Sequence, residues 1–371
     1  MSKHTLDELR QLQALPLSEK LLLTKKRIKE WVDHYGEDHV AISFSGGKDS
    51  TALMYIARGM YPDIKGVFID TGLEYPEIRD FVRTWDNIDW IKPKKTFKQV
   101  LNEYGYPFIS KEVSECVYGA KKYLTKLIEE GIVLTDRQTD RQTDRQTDRH
   151  LPYGYYLEKL TGTGRYANLE RMFGGGQSDE ALSQFADLLN KRMHSKDGGS
   201  NQRLAIMLGM LTKDQKIEVC PTVKNRSQFA QTKWKFFLEA PFEISNRCCN
   251  VMKKAPAHKY TKETGRYFMT AQMASESRVR TQKWIQNGCN GFNLKKPISN
   301  PMSFWFDDDV LLYLKINNVK IASVYGEIVN EDGTEFNPDE AMNSGVFDFE
   351  RPCLKTTGCS RTGWKYSRVQ R

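Results

Sequence analysis

The sequence predicts an α/β fold in which helices flank a doubly wound parallel sheet. Short, β-favouring apolar runs of strand length occur at residues 40–44, 64–70 and 87–91. Stretches of helical composition separate them at residues 51–57 and 76–85, and a further helical stretch follows the third run. The resulting order, β-α-β-α-β, is typical of a parallel sheet whose ligands bind at the carboxyl ends of its strands.

Composition limits the class of protein. With 371 residues, of which 39% are hydrophobic, the chain has room for two or three compact units with a core. No apolar run is long enough to span a membrane, and the first residues lack a signal-peptide core, so we expect a cytoplasmic protein without a membrane partner. The net charge of +9 suits a nucleotide or nucleic-acid partner, and equally a basic soluble surface.

The chain is expected to begin with two helices, because apolar residues recur at helical spacing on both sides of Pro16. Residues 135–149 read TDRQTDRQTDRQTDR, a tandem repeat without an apolar residue, which predicts a solvated loop or frayed helix. The alternative, a nucleic-acid-binding loop, is disfavoured because its Asp and Arg charges cancel. The predicted divisions are N-terminal helices at 1–35, a nucleotide-binding core at 36–115, a helical insertion at 116–225, the remainder of the core at 226–300, and a small C-terminal helical region with cysteines at 301–371.

The segment VAISFSGGKDSTALMYIA, which starts at Val40, places a glycine turn between a strand and a helix. Two glycines allow close backbone approach to a ligand, and the helix start presents N–H groups and the positive end of its dipole, so the turn predicts a phosphate site. Lys48 adds a positive charge, and we expect Asp49 to orient Mg²⁺ or the loop. The spacing of a Walker A loop is missing. The candidate residues here are Ser45, Gly46, Gly47 and Ser50 for binding, and Lys48 and Asp49 for catalysis.

The pattern SGGxDS resembles the PP-loop of the adenine-nucleotide α-hydrolase superfamily, whose members cleave ATP between its α and β phosphates or handle adenylyl sulfate. The segment TGLEYPE, which follows the second strand, resembles the turn found at this place in the phosphoadenosine-phosphosulfate (PAPS) reductase branch. The resemblance implies that Asp70, Thr71 and Gly72 face the nucleotide, with Glu74 as a further candidate. Asp70 has an alternative interpretation as a strand-end carboxylate that caps the next turn.

A second stretch, FMTAQMASESRVRTQKW, is similar to the branch's pattern Gly-x-Arg-x-x-Glu-Ser-x-x-Arg. Glu276, Ser277 and Arg280 match it, whereas Ala271 and Met273 stand where the pattern has Gly and Arg. Arg278 or Arg280 could supply the missing cation, because a guanidinium holds phosphate or sulfate through two parallel hydrogen bonds. The alternative is that both arginines lie on a solvated helix face.

Seven cysteines, an odd number, argue against a disulfide framework. The resemblance to iron–sulfur members of the branch implies a 4Fe–4S cluster, and the candidate ligands are Cys248, Cys249, Cys289, Cys353 and Cys359. A CxxC pair near the end and the Glu-Cys-Gly-x-x-His tail of thioredoxin-dependent reductases are both missing. Cys116 and Cys220 are expected to be small buried hydrophobes.

Three functions are consistent with these patterns. The first is a PAPS reductase-family enzyme that uses ATP or an adenylyl sulfate with Mg²⁺ for sulfur transfer or reduction, with a sulfur donor or redox protein as partner. The second is a sulfur-incorporating enzyme of DNA modification or phage defence, which the basic charge favours. The third is a nucleotide-binding protein that has lost its chemistry.

Overall fold

The computed structural model describes residues 4–130, 178–193, 198–218, 221–222, 224–240, 242–337 and 353–358. The chain divides into two compact units, one formed by residues up to 97 together with those from 251 onward, the other by residues 98–250. These limits differ from the predicted divisions at 115 and 225. The helix at residues 111–129, which spans the first division, and the 3-10 helix at residues 232–239 both pack within the second unit. The tandem repeat lies outside the described residues.

The first unit is built on a six-stranded sheet with the order β3-β2-β1-β4-β6-β5. All neighbouring strands are parallel except β5 and β6. The prediction of a doubly wound α/β fold is therefore confirmed. The strands are β1 Val40–Ser43, β2 Lys65–Ile69, β3 Ile88–Ile91, β4 Tyr267–Met269, β5 Asn290–Gly291 and β6 Ile298–Ser299.

Strand β1 is central because it pairs with β2 on one side and with β4 on the other. Its first three residues are fully buried, as expected for a parallel strand that helices cover on both faces. The register aligns Ala41 with Lys65 of β2 and with Phe268 of β4. The three central strands therefore end close to the same edge of the sheet.

The described helices are α1 Leu6–Ala14, α2 Leu17–Tyr35, α3 Lys48–Arg58, α4 Pro76–Arg83, α5 Phe97–Tyr104, α6 Lys111–Glu129, α7 Ser178–Arg192, α8 Gly198–Leu208, α9 Arg247–Cys249, α10 Ala255–Thr264, α11 Arg278–Asn287 and α12 Asp307–Ile316. A π-helical segment, Asn250–Lys254, joins α9 to α10. Short 3-10 helices occur at Glu37–His39, Thr232–Glu239, Ala274–Glu276 and Ser323–Tyr325, and β7 Ile328–Asn330 pairs with β8 Leu354–Thr356. No helix in this described part of the chain combines the length and apolar character that crossing a bilayer requires.

The two leading helices form as predicted, with the break at Pro16. Thr5 and Glu8 make a reciprocal capping box at the start of α1, which satisfies backbone donors that the helix itself cannot pair. Pro16 precedes the first residue of α2, where its missing N–H costs nothing. α2 then buries Ile28 and Trp31 in the core of the first unit.

A buried ion pair joins α2 to α12. Lys20 Nζ lies 2.6 Å from Asp309 Oδ2, and both side chains are almost completely excluded from solvent. Asp309 also accepts a hydrogen bond from the backbone N–H of Phe306, which caps α12. Beside the pair, Trp305 Nε1 donates to Thr24 Oγ1 at 2.9 Å. Asp309 therefore has an additional hydrogen bond of the kind that a charged group needs in an apolar core.

The described part of the second unit is largely helical. α6 packs along α8, and their apolar residues form a separate core with α7 and the 3-10 helix Thr232–Glu239. Val117, Leu127, Phe185 and Met207 are all buried in it. The second unit thus has its own hydrophobic core.

Replacing Lys20 with Ala should destabilise the protein by about 3 to 5 kcal/mol, because Asp309 would remain buried without its counter-charge. Lys29→Ala is the matched control: it breaks the exposed pair with Asp33 on the same helix and should change stability little. Urea unfolding of both variants measures the difference. Equal loss in the two would show that the buried pair does not hold α2 against α12.

Candidate functional site

The candidate site lies where the strand order reverses. From β1 the chain proceeds outward through β2 and β3, and then returns to form β4 on the other side of β1. In such sheets the loops that follow the two strands at the reversal diverge and leave a crevice at their carboxyl ends. Residues 45–50 follow β1 and residues 270–277 follow β4, while Asp70 comes directly after β2. Topology therefore brings together three segments selected from the sequence.

The glycines of the first loop are required by its geometry. Gly46 has φ +70°, and a Cβ there would come within 2.8 Å of methyl carbons of Ile78 and Val82 on α4. Gly47 precedes the first residue of α3, and a Cβ there would lie 3.2 Å from Ser45 Oγ and 3.3 Å from the Tyr325 hydroxyl. Both positions therefore lack room for a larger residue.

The two loop serines bond within the loop. Ser45 Oγ accepts from the Gly47 N–H at 3.3 Å and lies 3.1 Å from Ser50 Oγ. Ser50 Oγ also donates to the Gly47 carbonyl at 2.9 Å. These contacts fix the shape of the turn, so the serines organise the loop as well as carrying donors.

Lys48 is the first residue of α3, and only 7% of it is exposed. Its Nζ lies 2.8 Å from Asp49 Oδ1 and 2.8 Å from Asp307 Oδ1. Burial lowers the pKa of Lys48, but the two carboxylates more than offset that effect, and the pKa is raised overall. Lys48 is therefore a firmly charged ammonium group held between two carboxylates.

Asp307 is not among the candidate residues predicted from the sequence. It is the first residue of α12, 259 positions from Lys48, in a region where the sequence shows no catalytic pattern. The available signal was local: three acidic residues in succession open a helix directly after Phe306. Acidic residues at a helix start have a structural explanation in the helix dipole, so the pattern alone does not reveal a contact with the loop.

The turn after β2 is held by its own carboxylates. Asp70 Oδ1 accepts from the Gly72 N–H at 3.1 Å and from the guanidinium group of Arg79. Glu74 is buried and accepts from the N–H and the hydroxyl of Thr71. The structure thus gives Asp70 the capping role that was one of its two interpretations. Arg79 is a further residue that the sequence did not single out.

The segment after β4 carries the third set of candidates. Glu276 accepts from the Met273 N–H at 2.8 Å and forms an ion pair with Arg280. Ser277 Oγ accepts from the Arg280 N–H and caps α11. Burial lowers the pKa of Arg280, and attraction to Asp49 opposes that effect. Arg280 therefore interacts with the first loop, whereas Arg278 is exposed on α11.

The candidate cysteine ligands occur in both units of the chain. Cys248 and Cys249 form part of α9 in the second unit, whereas Cys289 is buried in the first unit and accepts from Ser303 Oγ at 3.2 Å. Cys353 is exposed, and Cys359 lies outside the described residues. Within the described ranges, no three His, Cys, Asp or Glu side chains form a group able to hold a metal ion. The binding of a 4Fe–4S cluster by these cysteines therefore stays a prediction from the sequence.

Of the remaining thiols, Cys116 is buried on α6 as expected. Burial is the main effect that raises its pKa to about 11, so it is almost entirely protonated at neutral pH. Cys220 lies outside the described residues.

Comparison with known proteins finds a family similar to the segment that contains residues 45–50 and 70–74. Residues 39–149 match the family described as "Phosphoadenosine phosphosulfate reductase domain". An uncharacterized protein of Methanocaldococcus jannaschii is 36% identical over 87 residues, which cover 22% of this chain and 21% of that protein. The chain thus spans about a fifth of the relative it matches, and the shared segment carries no assigned activity.

Gly46→Ala should cost more stability than Gly72→Ala, although both glycines have positive φ. At Gly72 no described atom lies within 4 Å of the place that an added Cβ would take, so only the backbone strain of about 1 to 2 kcal/mol is expected. At Gly46 the contact with Ile78 and Val82 adds overpacking of about 1 to 3 kcal/mol. Chemical denaturation compares the two, and equal losses would contradict the tight packing of the loop against α4.

Proposed function

We propose that the protein is an enzyme of the PP-loop superfamily, because residues 39–149 match the family described as "Phosphoadenosine phosphosulfate reductase domain". It binds ATP or an adenylyl sulfate with the phosphates on residues 45–50 and uses the nucleotide in sulfur transfer or reduction. The observation that carries this proposal is the position of the buried Lys48 at the start of α3, 2.8 Å from Asp49, in the loop that follows β1 at the reversal of the strand order.

Phosphate binding would use the backbone and Lys48 together. The first turn of α3 carries N–H groups that have no partner within the helix, and the dipole favours negative charge there. Lys48 leaves Asp307 and turns to the phosphate oxygens, because a phosphate carries more charge than one carboxylate. Its ammonium group then stabilises the charge that develops on the pyrophosphate group as the bond between the α and β phosphates breaks.

Asp49 and Asp307 would lose their shared cation in that rearrangement. Carboxylate oxygens are the ligands that Mg²⁺ prefers, so the two residues fit the ion that the family's nucleotide chemistry implies. When bound, Mg²⁺ would supply additional neutralisation of the phosphates. Arg280, which pairs with Glu276 on the segment after β4, would contact a phosphate or sulfate oxygen of the same ligand.

The sulfur or the electrons for the reaction would come from a separate protein, either a sulfur donor or a redox partner.

A second candidate function has nucleic acid as the acceptor, as in DNA modification or phage defence, and the net charge of +9 favours it. Retention on DNA that falls steeply with salt would support it. Loss of chemistry, the third candidate, predicts nucleotide binding without pyrophosphate release.

Gly47→Val should abolish ATP binding in calorimetry, because the branched side chain enters the space between Ser45 and Tyr325 and keeps phosphates from the backbone. Gly59→Val, at the other end of α3, is the matched control and should bind normally. The wild-type protein is also incubated with ATP and with adenylyl sulfates, and the products are identified by mass. Unchanged ATP affinity in Gly47→Val would refute the assignment of the phosphate site.

Measured without Mg²⁺, ATP binding should tighten by about two- to fivefold in Asp307→Asn, because the carboxylate that competes with the phosphates for Lys48 is removed and its exposed position limits the effect. Lys48→Ala should weaken binding at least tenfold. Asp63→Asn makes the same charge change at an exposed position away from the loop and should leave the affinity unaltered. Weaker binding in Asp307→Asn would show that Asp307 positions Lys48 for the nucleotide rather than competing for it.

A further inference from the structure

A cavity of about 310 Å³ lies beside the candidate nucleotide site within the first unit. It is bounded by α11, by the segment after β4, and by the loops on either side of β6. Its lining includes none of the residues at 45–50 or 70–74. Arg280 belongs to both regions, because it lines the cavity and also interacts electrostatically with Asp49.

We infer that this cavity is a second binding site, for a small molecule that carries a phosphate or sulfate group. Three cationic side chains line it: Arg280, Lys283 and Lys296. The described residues of the lining include no Asp and no Glu. The cavity therefore has an uncompensated positive charge on its wall, apart from the pairing of Arg280 with Glu276.

The positive potential extends beyond the wall. His258 on α10 has a lowered pKa, mainly because it is partly buried and further because Lys296 and Lys254 repel its charged form. A histidine that resists protonation beside two lysines indicates a region where an added positive charge is unfavourable. The same field favours an anion, and it attracts a charged ligand before contact is made.

Neutral donors complete the lining. The indole N–H of Trp284 is buried and approaches the Cys289 sulfur, but it makes no regular hydrogen bond to the described residues. The Asn300 side-chain oxygen accepts a hydrogen bond from the Thr270 hydroxyl. Because the oxygen faces Thr270, the NH₂ group of the same amide points away from Thr270. Both groups are hydrogen-bond donors suited to oxyanion oxygens, and a buried donor without a good partner favours a ligand that supplies one.

The volume indicates the size of the ligand. A cavity of about 310 Å³ falls at the small end of the range for ligand sites, which excludes a folded macromolecule. The amides of Gln272, Gln286 and Asn287 provide mixed donors and acceptors for the neutral part of such a molecule. Its identification as the second substrate of the reaction at residues 45–50 rests on the proposed function, whereas anion binding in the cavity does not.

The test uses inorganic phosphate and inorganic sulfate as probes, titrated separately into the full chain at low ionic strength and followed by calorimetry. Lys283→Ala/Lys296→Ala should weaken binding at least tenfold. The control is Lys262→Ala/Lys295→Ala, which removes the same charge from exposed positions of the same unit outside the lining, one of them adjacent to Lys296. Equal weakening in both variants, or no binding to the wild type, would overturn the inference.

A second comparison separates this site from the loop. The double variant Lys283→Ala/Lys296→Ala should keep its ATP affinity within about twofold, since neither lysine belongs to the loop. Gly47→Val should lose ATP but still bind phosphate. Loss of phosphate binding in Gly47→Val would place the ion in the loop and overturn the inference. Absence of ATP binding in a wild type that binds phosphate would count against the proposed function alone, and circular dichroism confirms that each variant is folded.

Discussion

The position of β1 between β2 and β4 is the constraint on which the candidate site depends. β1 is buried on both faces and paired on both edges, so the position of its carboxyl end is fixed by the sheet. The position of the loop that follows is fixed with it. The glycine at position 46 then lets the chain turn against α4, where no side chain would fit. Strand pairing therefore fixes the loop in space, and glycine allows its close approach to the neighbouring helix.

The two cations of the crevice, Lys48 and Arg280, are paired with carboxylates of the protein. Lys48 is held by Asp49 and Asp307, and Arg280 is held by Glu276 while attracted to Asp49. A buried ammonium group without carboxylates would be costly, so these pairs stabilise the fold as well as preparing the site. In the proposed function, a phosphate takes the place of a carboxylate at Lys48, because it satisfies the same cation.

Local features of the fold were predictable from the sequence, and distant contacts were not. The strands and helices up to α5 follow hydrophobic periodicity and the Gly and Pro residues between them, and these signals act over a few residues. Asp307 reaches Lys48 across 259 positions, through the packing of α12 on α3, and no local pattern encodes that contact. The resemblance selected Asp70 and Glu276 by position, but their hydrogen bonds to Gly72 and Met273 depend on turn conformations that only the structure shows.

The same fold can serve many reactions when the groups around a shared loop differ, and the segment after β4 is where this chain departs from the pattern it resembles. Met273, which stands where that pattern has Arg, is buried and donates its N–H to Glu276, so it supports the turn instead of contacting an anion. Positive charge is supplied from α11 and the loop before β6, by Arg280, Lys283 and Lys296. Arg280 matches an Arg of that pattern, whereas Lys283 and Lys296 lie outside it and add positive charge to the wall of the neighbouring cavity. If the second binding site inferred above exists, a difference in this segment alters which second molecule binds there without changing the loop at residues 45–50.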